Sequence, residues 1–387
     1  MENKLKVSPG FIILTSILVV YGLITVIIGF ATGDTIRTWA NLLLNNYYFM
    51  SVAIGAAFWL AIQYITQSGW SAQFIRIPQA MSDYLIVSFV LWIIMFFGLH
   101  HLYEWTHLDV VANDPILTHK KPYLNVPFLA VRYIVFFGLW IYLTQRIKRL
   151  SLLEDKHGGL TYFKKMEFNS KVFIFVFAIT FSLFSIDWLM SLDPHWYSTI
   201  YAAKKFIMAF YHGATIITAI VVILYFLGYF PDMNKSHFLD FSRYIFALSI
   251  IWGYMWLSQY LLIWYANIPE ETIYYVPRIM TEYKPYFYAE LLINWLFPFL
   301  FLMWNRIAKN PYALLFAVVV LMCGQWVELY MSIMPNTTSL HKITYIEFGT
   351  FMGFLGLFAG VVAWSLTRMN LIPKNHPYMI ESVKHHV

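Results

Sequence analysis

The sequence predicts an all-α integral membrane protein with about ten transmembrane helices, organised as one polytopic domain over residues 1–387. Two observations support this fold class. Hydrophobic residues make up 60% of the chain and charged residues only 12%, about half the charged share of a typical soluble domain. Apolar runs of about 18 or more residues recur along the chain. Each is long enough to cross a bilayer as a helix, which satisfies its own backbone hydrogen bonds in lipid.

The predicted helices follow one another in order. The first run is too long for the apolar core of a signal peptide and is therefore interpreted as a helix. The fifth ends at Asp193, the sixth starts beyond Lys205, the eighth is interrupted by Pro298 and the ninth ends at Pro335. The ten helices cover residues 11–31, 47–66, 84–103, 126–145, 172–192, 206–229, 244–267, 286–305, 312–334 and 347–367.

The distribution of basic residues predicts the orientation. Ten helices place both termini on one side, and that side carries 17 of the 26 lysine and arginine residues. Because loops rich in lysine and arginine stay in the cytoplasm, both termini are predicted to be cytoplasmic. Much of the excess lies in residues 145–171, which are predicted to form the longest cytoplasmic loop.

Ionisable residues concentrate in the outer third of the predicted helices. At ~1.5 Å per residue, Asp187 lies roughly 9 Å below the outer end of its helix, and His212 and Glu328 lie at similar depths. In the inner half only Asp83 is evident, so that half is predicted to be nearly empty of charge. The outer layer comprises His100, Glu104, Arg132, Asp187, His212, Glu290 and Glu328, contributed by six helices.

This layer is interpreted as a proton path that opens outward. Charged side chains inside a membrane are costly and are functional by default, and desolvated carboxyl and imidazole groups can exchange protons near neutral pH. The residues assigned to the path are Asp187, His212 and Glu328 at its core, with Glu290, His100, Glu104, Lys204 and Lys205 around them.

Each of these residues also has a structural interpretation, in which carboxylates are held by cations. Asp187 and Glu328 would then pair with Arg132 or with a lysine. Lys204 and Lys205 would extend to the interface, and the alternative is that they balance Asp187 and Asp193. The residues assigned to pairing are Arg132, Asp193, His195, Gln259, Asn294 and Asp83, the two amides as hydrogen-bond partners between helices.

Several other chemistries are disfavoured. The single cysteine, Cys323, excludes an internal disulfide, a four-cysteine iron–sulfur cluster and a zinc knuckle. His212 could share a haem with His100 or His101, but no second pair is present. A transporter would need broken helices in two related halves, and Pro298 has no counterpart. We therefore assign no catalytic residue, metal or cofactor to this chain. The net charge of +6 is modest, and nucleic acid is not an expected partner.

Two stretches resemble a known family. They are "SIDWLMSLDPHWYSTIYA" at residues 185–202 and "YMWLSQYLLIWYANIPEE" at residues 254–271. Both are similar to ActF-like membrane subunits of alternative complex III, a quinol:electron acceptor oxidoreductase. These subunits belong to the NrfD/polysulfide-reductase superfamily. Asp187, Asp193 and His195 lie in the first stretch, and Gln259 and Glu270 lie in the second.

The resemblance implies an NrfD-like pair of four-helix bundles with flanking helices, in a bacterial inner membrane. It implies partners: a paralogous NrfD-like subunit, where quinol is oxidised, an iron–sulfur subunit and c-type cytochrome subunits, with a terminal oxidase as an optional further partner. The expected function is membrane anchoring and proton handling. One alternative is that this chain itself binds and oxidises quinol near the periplasmic face. A second is a secondary transporter or a purely structural scaffold.

Overall fold

The all-α prediction is confirmed. The computed structural model describes residues 4–338 and 341–386, and within them the only β pairing is an isolated bridge between Lys4 and Asn370. Ten helices in this part of the chain are long and apolar enough to cross a membrane. Labelled α1–α10 in chain order, they are Pro9–Ala31, Thr35–Ile65, Ala72–Leu102, Val126–His157, Leu160–Leu192, Thr199–Phe226, Lys235–Ala266, Lys284–Leu302, Pro311–Asn336 and Tyr345–Thr367.

The predicted helix boundaries differ most from the observed ones at two places, the start of α2 and the segment of residues 145–171. Helix α2 begins at Thr35 rather than at residue 47, because its polar first turns are buried against the protein and need no apolar character. Residues 145–171, predicted to be a loop, form a helical hairpin instead. Its turn is made by Gly158 and Gly159, whose φ values of 64° and 78° suit glycine. Hydropathy cannot detect these extensions, since it reports only apolar length.

Helix α8 is irregular at its centre. A π-helical turn over Leu292–Leu296 precedes Pro298. Proline lacks a backbone N–H and its ring clashes with the carbonyl four residues earlier, so the regular hydrogen-bonding pattern cannot pass through it. The wider turn accommodates the proline without ending the helix.

The helices pack as two four-helix bundles. Helices α2–α5 form the first bundle and α6–α9 the second, and α2 joins the two by packing against α6. This contact is close because Gly55 and Gly213 face each other, and a Cβ on either would collide with the opposite backbone. Helices α1 and α10 flank the pair and approach each other in the same way at Gly22 and Gly353.

The two ends of the molecule differ. We call the end with residues 103–125 and 267–283 the loop-rich end, and the opposite end, which holds both chain termini, the terminal end. The C-terminal segment is fastened to the terminal end, where Ser382 Oγ donates to Trp70 O at 2.8 Å and His237 Nε2 contacts Ser382 O at 3.0 Å.

Candidate functional site

A cluster of five ionisable side chains lies inside the second bundle. Each is between 0 and 7% exposed, and helices α6, α8 and α9 contribute to it. On α6, Lys205 and His212 lie seven residues apart, which places them two turns apart on one face. We call this group the ionisable cluster. Its members are Lys204, Lys205, His212, Glu290 and Glu328.

Glu328 is the centre of the ionisable cluster. Its Oε2 accepts a hydrogen bond from Trp252 Nε1 at 2.7 Å. Lys205 Nζ lies 3.7 Å from Glu328 Oε1, and His212 Nε2 lies 3.8 Å from Glu328 Oε2. These are ion-pair distances that exceed hydrogen-bonding range. Within the described residues, Glu328 Oε1 and His212 Nε2 consequently have no hydrogen-bond partner.

Hydroxyl groups extend the cluster in both directions. Lys205 Nζ donates to Ser332 Oγ at 2.7 Å. On the other side, His212 Nδ1 lies 3.2 Å from Ser51 Oγ, and Ser51 donates its only hydroxyl proton to Tyr48 O at 2.7 Å. His212 Nδ1 must therefore be the donor to Ser51.

This assignment of protons determines the chemistry of the His212–Glu328 contact. With Nδ1 protonated, a neutral His212 would present the lone pair of Nε2 to the carboxylate of Glu328. Two lone pairs repel, so the contact is favourable only when a proton is held on His212 Nε2 or on Glu328. The arrangement thus favours one proton on this pair of side chains.

Glu290 and Lys204 form the outer part of the ionisable cluster. Glu290 Oε1 accepts a hydrogen bond from Trp256 Nε1 and interacts electrostatically with Lys204. The Lys204 ammonium lies 5.8 Å from the centre of the Trp252 ring. Trp252 and Trp256 are one turn apart on α7, so one face of that helix supplies an indole N–H to each buried carboxylate.

Arg278 separates the ionisable cluster from the loop-rich surface. Its guanidinium is 2% exposed and donates to Met331 O at 2.9 Å, Ser332 O at 3.4 Å and Asn336 Oδ1 at 3.2 Å. Asn336 also lines a surface cavity of about 650 Å³ at that end. Arginine keeps its proton in proteins, so Arg278 cannot relay protons and instead closes the cluster in this conformation.

Asp187 lies in the first bundle, outside the ionisable cluster. Arg132 holds it through two parallel hydrogen bonds, from Nε to Oδ2 at 2.8 Å and from Nη2 to Oδ1 at 3.0 Å. The guanidinium also lies 4.0 Å from the centre of the Tyr123 ring and 4.3 Å from that of Phe128. This is the arrangement of the structural interpretation, with a direct cation partner.

The other residues assigned to the path near α3 are also separate. His100 and Glu104 are exposed. The His100 ring contacts the ring of His107, with centres 3.8 Å apart, at the loop-rich surface. Neither is buried, although the sequence places both at the outer end of the third helix.

His195 and Asp193 lie on the loop between α5 and α6. His195 Nε2 donates to Asp114 Oδ2 at 2.5 Å. This hydrogen bond, together with the backbone N–H groups of Leu117 and Ile116, lowers the pKa of Asp114 below its ordinary value. Asp193 is half-buried on the same loop.

Three residues assigned to pairing occupy different surroundings. Asn294 donates to Gly324 O at 2.9 Å, joining α8 to α9. Gln259 is 1% exposed, and neither of its amide atoms has a hydrogen-bond partner within the described residues. Asp83 accepts from Gln145 at 2.8 Å and is paired with Lys148 in the terminal half of the molecule.

The structure buries further charges towards the terminal end, which the sequence did not indicate. Besides Asp83, Arg76 is fully buried towards the terminal end and pairs with Asp155 at 2.5 Å. Glu154 beside it is also fully buried. The sequence placed these residues in or near loops, where charge is unremarkable. The longer helices of the structure bury them.

A further buried ion pair, not predicted from the sequence, lies near the loop-rich end. Arg37 Nε donates to Glu347 Oε1 at 2.7 Å, and Asn41 donates to the same carboxylate at 2.8 Å. Arg37, Asn41 and Asn45 recur every four residues, and this helical spacing of polar residues could have revealed the buried first turns of α2.

The geometry also bears on quinol binding. The contact between His212 and Glu328 is 3.8 Å, and an aromatic headgroup cannot fit between two side chains at that separation. Comparison of the sequence with protein-family models finds no matching family, and comparison with curated proteins finds no matching protein.

Proposed function

We propose that this chain is the membrane-anchoring, proton-handling subunit of a respiratory quinol:electron acceptor oxidoreductase in a bacterial inner membrane. The observation that carries the proton-handling part is the His212–Glu328 contact, which is favourable only with one proton between the two side chains. A buried site that must hold a proton, next to Lys205 as a second donor, is suited to accepting and releasing protons one at a time.

The proposed transfer uses three side chains. The Lys205 ammonium first releases a proton past Ser332. His212 Nε2 then gives a proton to the Glu328 carboxylate, and rotation of the carboxyl group presents that same proton to the Lys205 amine. Each contact must shorten by about 1 Å to reach hydrogen-bonding distance, which a change of rotamer supplies. Charge is conserved, because each donor loses the proton that its acceptor gains.

Arg278 gives the proposed path a gate. Protons leave towards the loop-rich surface only when the guanidinium moves away from Ser332 and Asn336. A path of this kind is a half-channel, and we propose that the loop-rich end faces the periplasm, with both termini in the cytoplasm. The excess of lysine and arginine on the terminal side supports this orientation.

Membership of a quinol-oxidising complex rests on the two stretches that resemble ActF-like subunits. We propose a paralogous membrane subunit, an iron–sulfur subunit and c-type cytochrome subunits as partners, which would carry the iron–sulfur clusters, the haems and the quinol site. The second stretch itself contains exposed aromatic residues, with Tyr254 68%, Trp264 64% and Tyr265 86% exposed. Such residues suit a lipid interface or a subunit contact.

The test is made on the complex purified from native membranes through a tag on this chain. We expect iron–sulfur and cytochrome subunits to co-purify and the complex to oxidise quinol. Glu328→Gln should lower the rate of proton release during turnover by at least about tenfold, as expected for loss of an acid–base group. Glu104→Gln, an exposed glutamate outside the cluster, is the matched control and should change nothing.

A second measurement does not depend on the partners. Infrared difference spectra of the purified chain, recorded as pH is varied, should contain a carboxyl band that disappears in Glu328→Gln. Normal proton release and an unchanged infrared spectrum in Glu328→Gln would refute the proton-handling role. Absence of co-purifying redox subunits would refute the assignment to such a complex and leave the proton site to be judged on the infrared result.

A further inference from the structure

A groove of about 840 Å³ opens on the side of the molecule between α1, α3, α4 and α10. Its deeper walls are apolar and include Val19, Val87, Leu357 and Val361. Helix α1 is attached mainly through α10, and its outward face is exposed and apolar. The groove therefore lies on the perimeter that faces acyl chains in a membrane.

The mouth of the groove lies at the terminal end and is charged. Asp83 accepts hydrogen bonds from Gln145 at 2.8 Å and Ser365 at 2.5 Å, and it pairs with Lys148. Because these donors surround Asp83, its negative charge is balanced within the mouth. Arg368 adds a further positive charge at the same mouth.

Arg368 is available to a ligand. It is exposed and stacks on Trp364, with the guanidinium 4.3 Å from the ring centre. Within residues 4–338 and 341–386, Arg368 forms no ion pair. Trp364 is 55% exposed beside it, as expected for an aromatic residue at the membrane–water boundary.

We propose that this groove binds one anionic phospholipid. An acyl chain lies along the apolar walls, and the phosphate lies at the mouth against Arg368, with Lys148 behind it. The net charge of Asp83, Lys148 and Arg368 is positive, which complements a phosphate. The volume is within the range of about 300–1,000 Å³ that is typical of ligand pockets. Basic pockets between helices on the cytoplasmic side suit anionic lipids.

A larger side chain at Gly360 would block the groove without disturbing the backbone. A Cβ added at Gly360 would have no heavy atom within 4 Å, so a leucine there projects into open space without a backbone clash. Gly138 on α4 is equally unobstructed but does not line the groove. Gly360→Leu is therefore the test variant and Gly138→Leu the matched control.

The probes are phosphatidylglycerol and phosphatidylcholine with the same acyl chains, titrated onto the full-length chain in detergent and followed by native mass spectrometry. We expect one phosphatidylglycerol per chain, and weaker binding of phosphatidylcholine. Arg368→Gln should weaken phosphatidylglycerol binding about fivefold, the effect of one basic residue near a membrane surface. Gly360→Leu should abolish it, and Gly138→Leu should leave it unchanged.

Three results would overturn the proposal. The first is equal binding of the two lipids, and the second is retention of phosphatidylglycerol by Gly360→Leu. The third is displacement of the lipid by a quinone, if that quinone binds the Arg368→Gln variant as tightly as the unmodified chain. A thermal unfolding curve for each variant separates loss of the site from loss of the fold. Gly360→Ala, which adds only one methyl group, should bind the lipid with intermediate affinity.

Discussion

Asp187 and Glu328 are both carboxylates with 1% exposure inside a four-helix bundle, yet their surroundings differ. Asp187 has a single cation partner, held through two hydrogen bonds of 2.8 and 3.0 Å. Glu328 shares two basic neighbours at 3.7 and 3.8 Å, and one of its oxygens has no hydrogen bond within the described residues. Depth and burial are thus insufficient to identify a functional carboxylate.

The two carboxylates differ in whether their basic partners can release a proton. A bidentate guanidinium–carboxylate pair satisfies both oxygens, and arginine does not release its proton, so the Asp187–Arg132 pair is chemically inert. Lysine and histidine can both release a proton, and their contacts with Glu328, at 3.7 and 3.8 Å, are not fixed by hydrogen bonds. We therefore propose a structural role for the pair in the first bundle, beside the proton-handling role proposed for the ionisable cluster in the second.

The largest expected effect on stability comes from breaking the Asp187–Arg132 pair in the first bundle. Asp187→Asn leaves the buried Arg132 without its counter-charge, which should lower the free energy of unfolding by about 3–5 kcal/mol. Thermal unfolding of the purified chain in detergent measures this loss. The double variant Asp187→Leu with Arg132→Met should recover most of the stability, because removing both charges removes the desolvation cost. Equal stability of Asp187→Asn and the unmodified chain would contradict the structural assignment.

A smaller effect on stability is expected in the second bundle. Lys205→Met removes the ammonium group that contacts Ser332 and Glu328, but Glu328 can become neutral by keeping a proton. The free energy of unfolding should therefore fall by only about 1–2 kcal/mol, while proton release by the purified complex should slow markedly. Lys171→Met, at an exposed lysine on α5, provides the control. A loss of stability as large as that of Asp187→Asn would show that the cluster is as rigid as the pair.

The smallest effect is expected at the partly exposed pair of Asp114 and His195, which extends the comparison to the surface. Asp114→Asn keeps the side-chain oxygen that caps the helix Pro115–Lys120, so only the charge is lost. Solvent screens such a pair, and the melting temperature should not change measurably. Because the pKa of Asp114 is lowered, its contribution is present above the ordinary carboxyl pKa and is lost as pH falls through the lowered value. A clear drop in melting temperature at neutral pH would contradict this ranking.

Sequence patterns predicted the structure best where the determining interactions lie within one segment. Ten apolar runs predicted ten spanning helices, because the length needed to cross a bilayer is a property of each segment alone. The sequence also placed His212 and Glu328 at a common depth, since depth follows from counting residues along a helix. Pro298 likewise indicated the irregularity of α8, which the structure shows as a π-helical turn.

Sequence patterns were insufficient where distant segments of the chain determine the contacts. Asp187 has a similar depth to Glu328, but depth does not say which bundle a helix joins or which direction its side chain faces. Nothing in the sequence distinguishes Trp252 and Trp256 from other apolar residues, although each donates a hydrogen bond to a buried carboxylate. The first turns of α2 read as a loop, because their arginine and asparagines find partners only on other helices.

Composition and hydropathy by themselves determined that this chain is a ten-helix, all-α protein suited to a membrane, because backbone groups in lipid must be satisfied within each segment. The tertiary structure decided which buried charges meet: Asp187 with Arg132 in one bundle, and Glu328 with Lys205 and His212 in the other. The physical reason is that the energy of a buried charge depends on the distance and orientation of its partner. Such partners can be far apart in sequence, and Lys205 and Glu328 are separated by 123 positions along the chain.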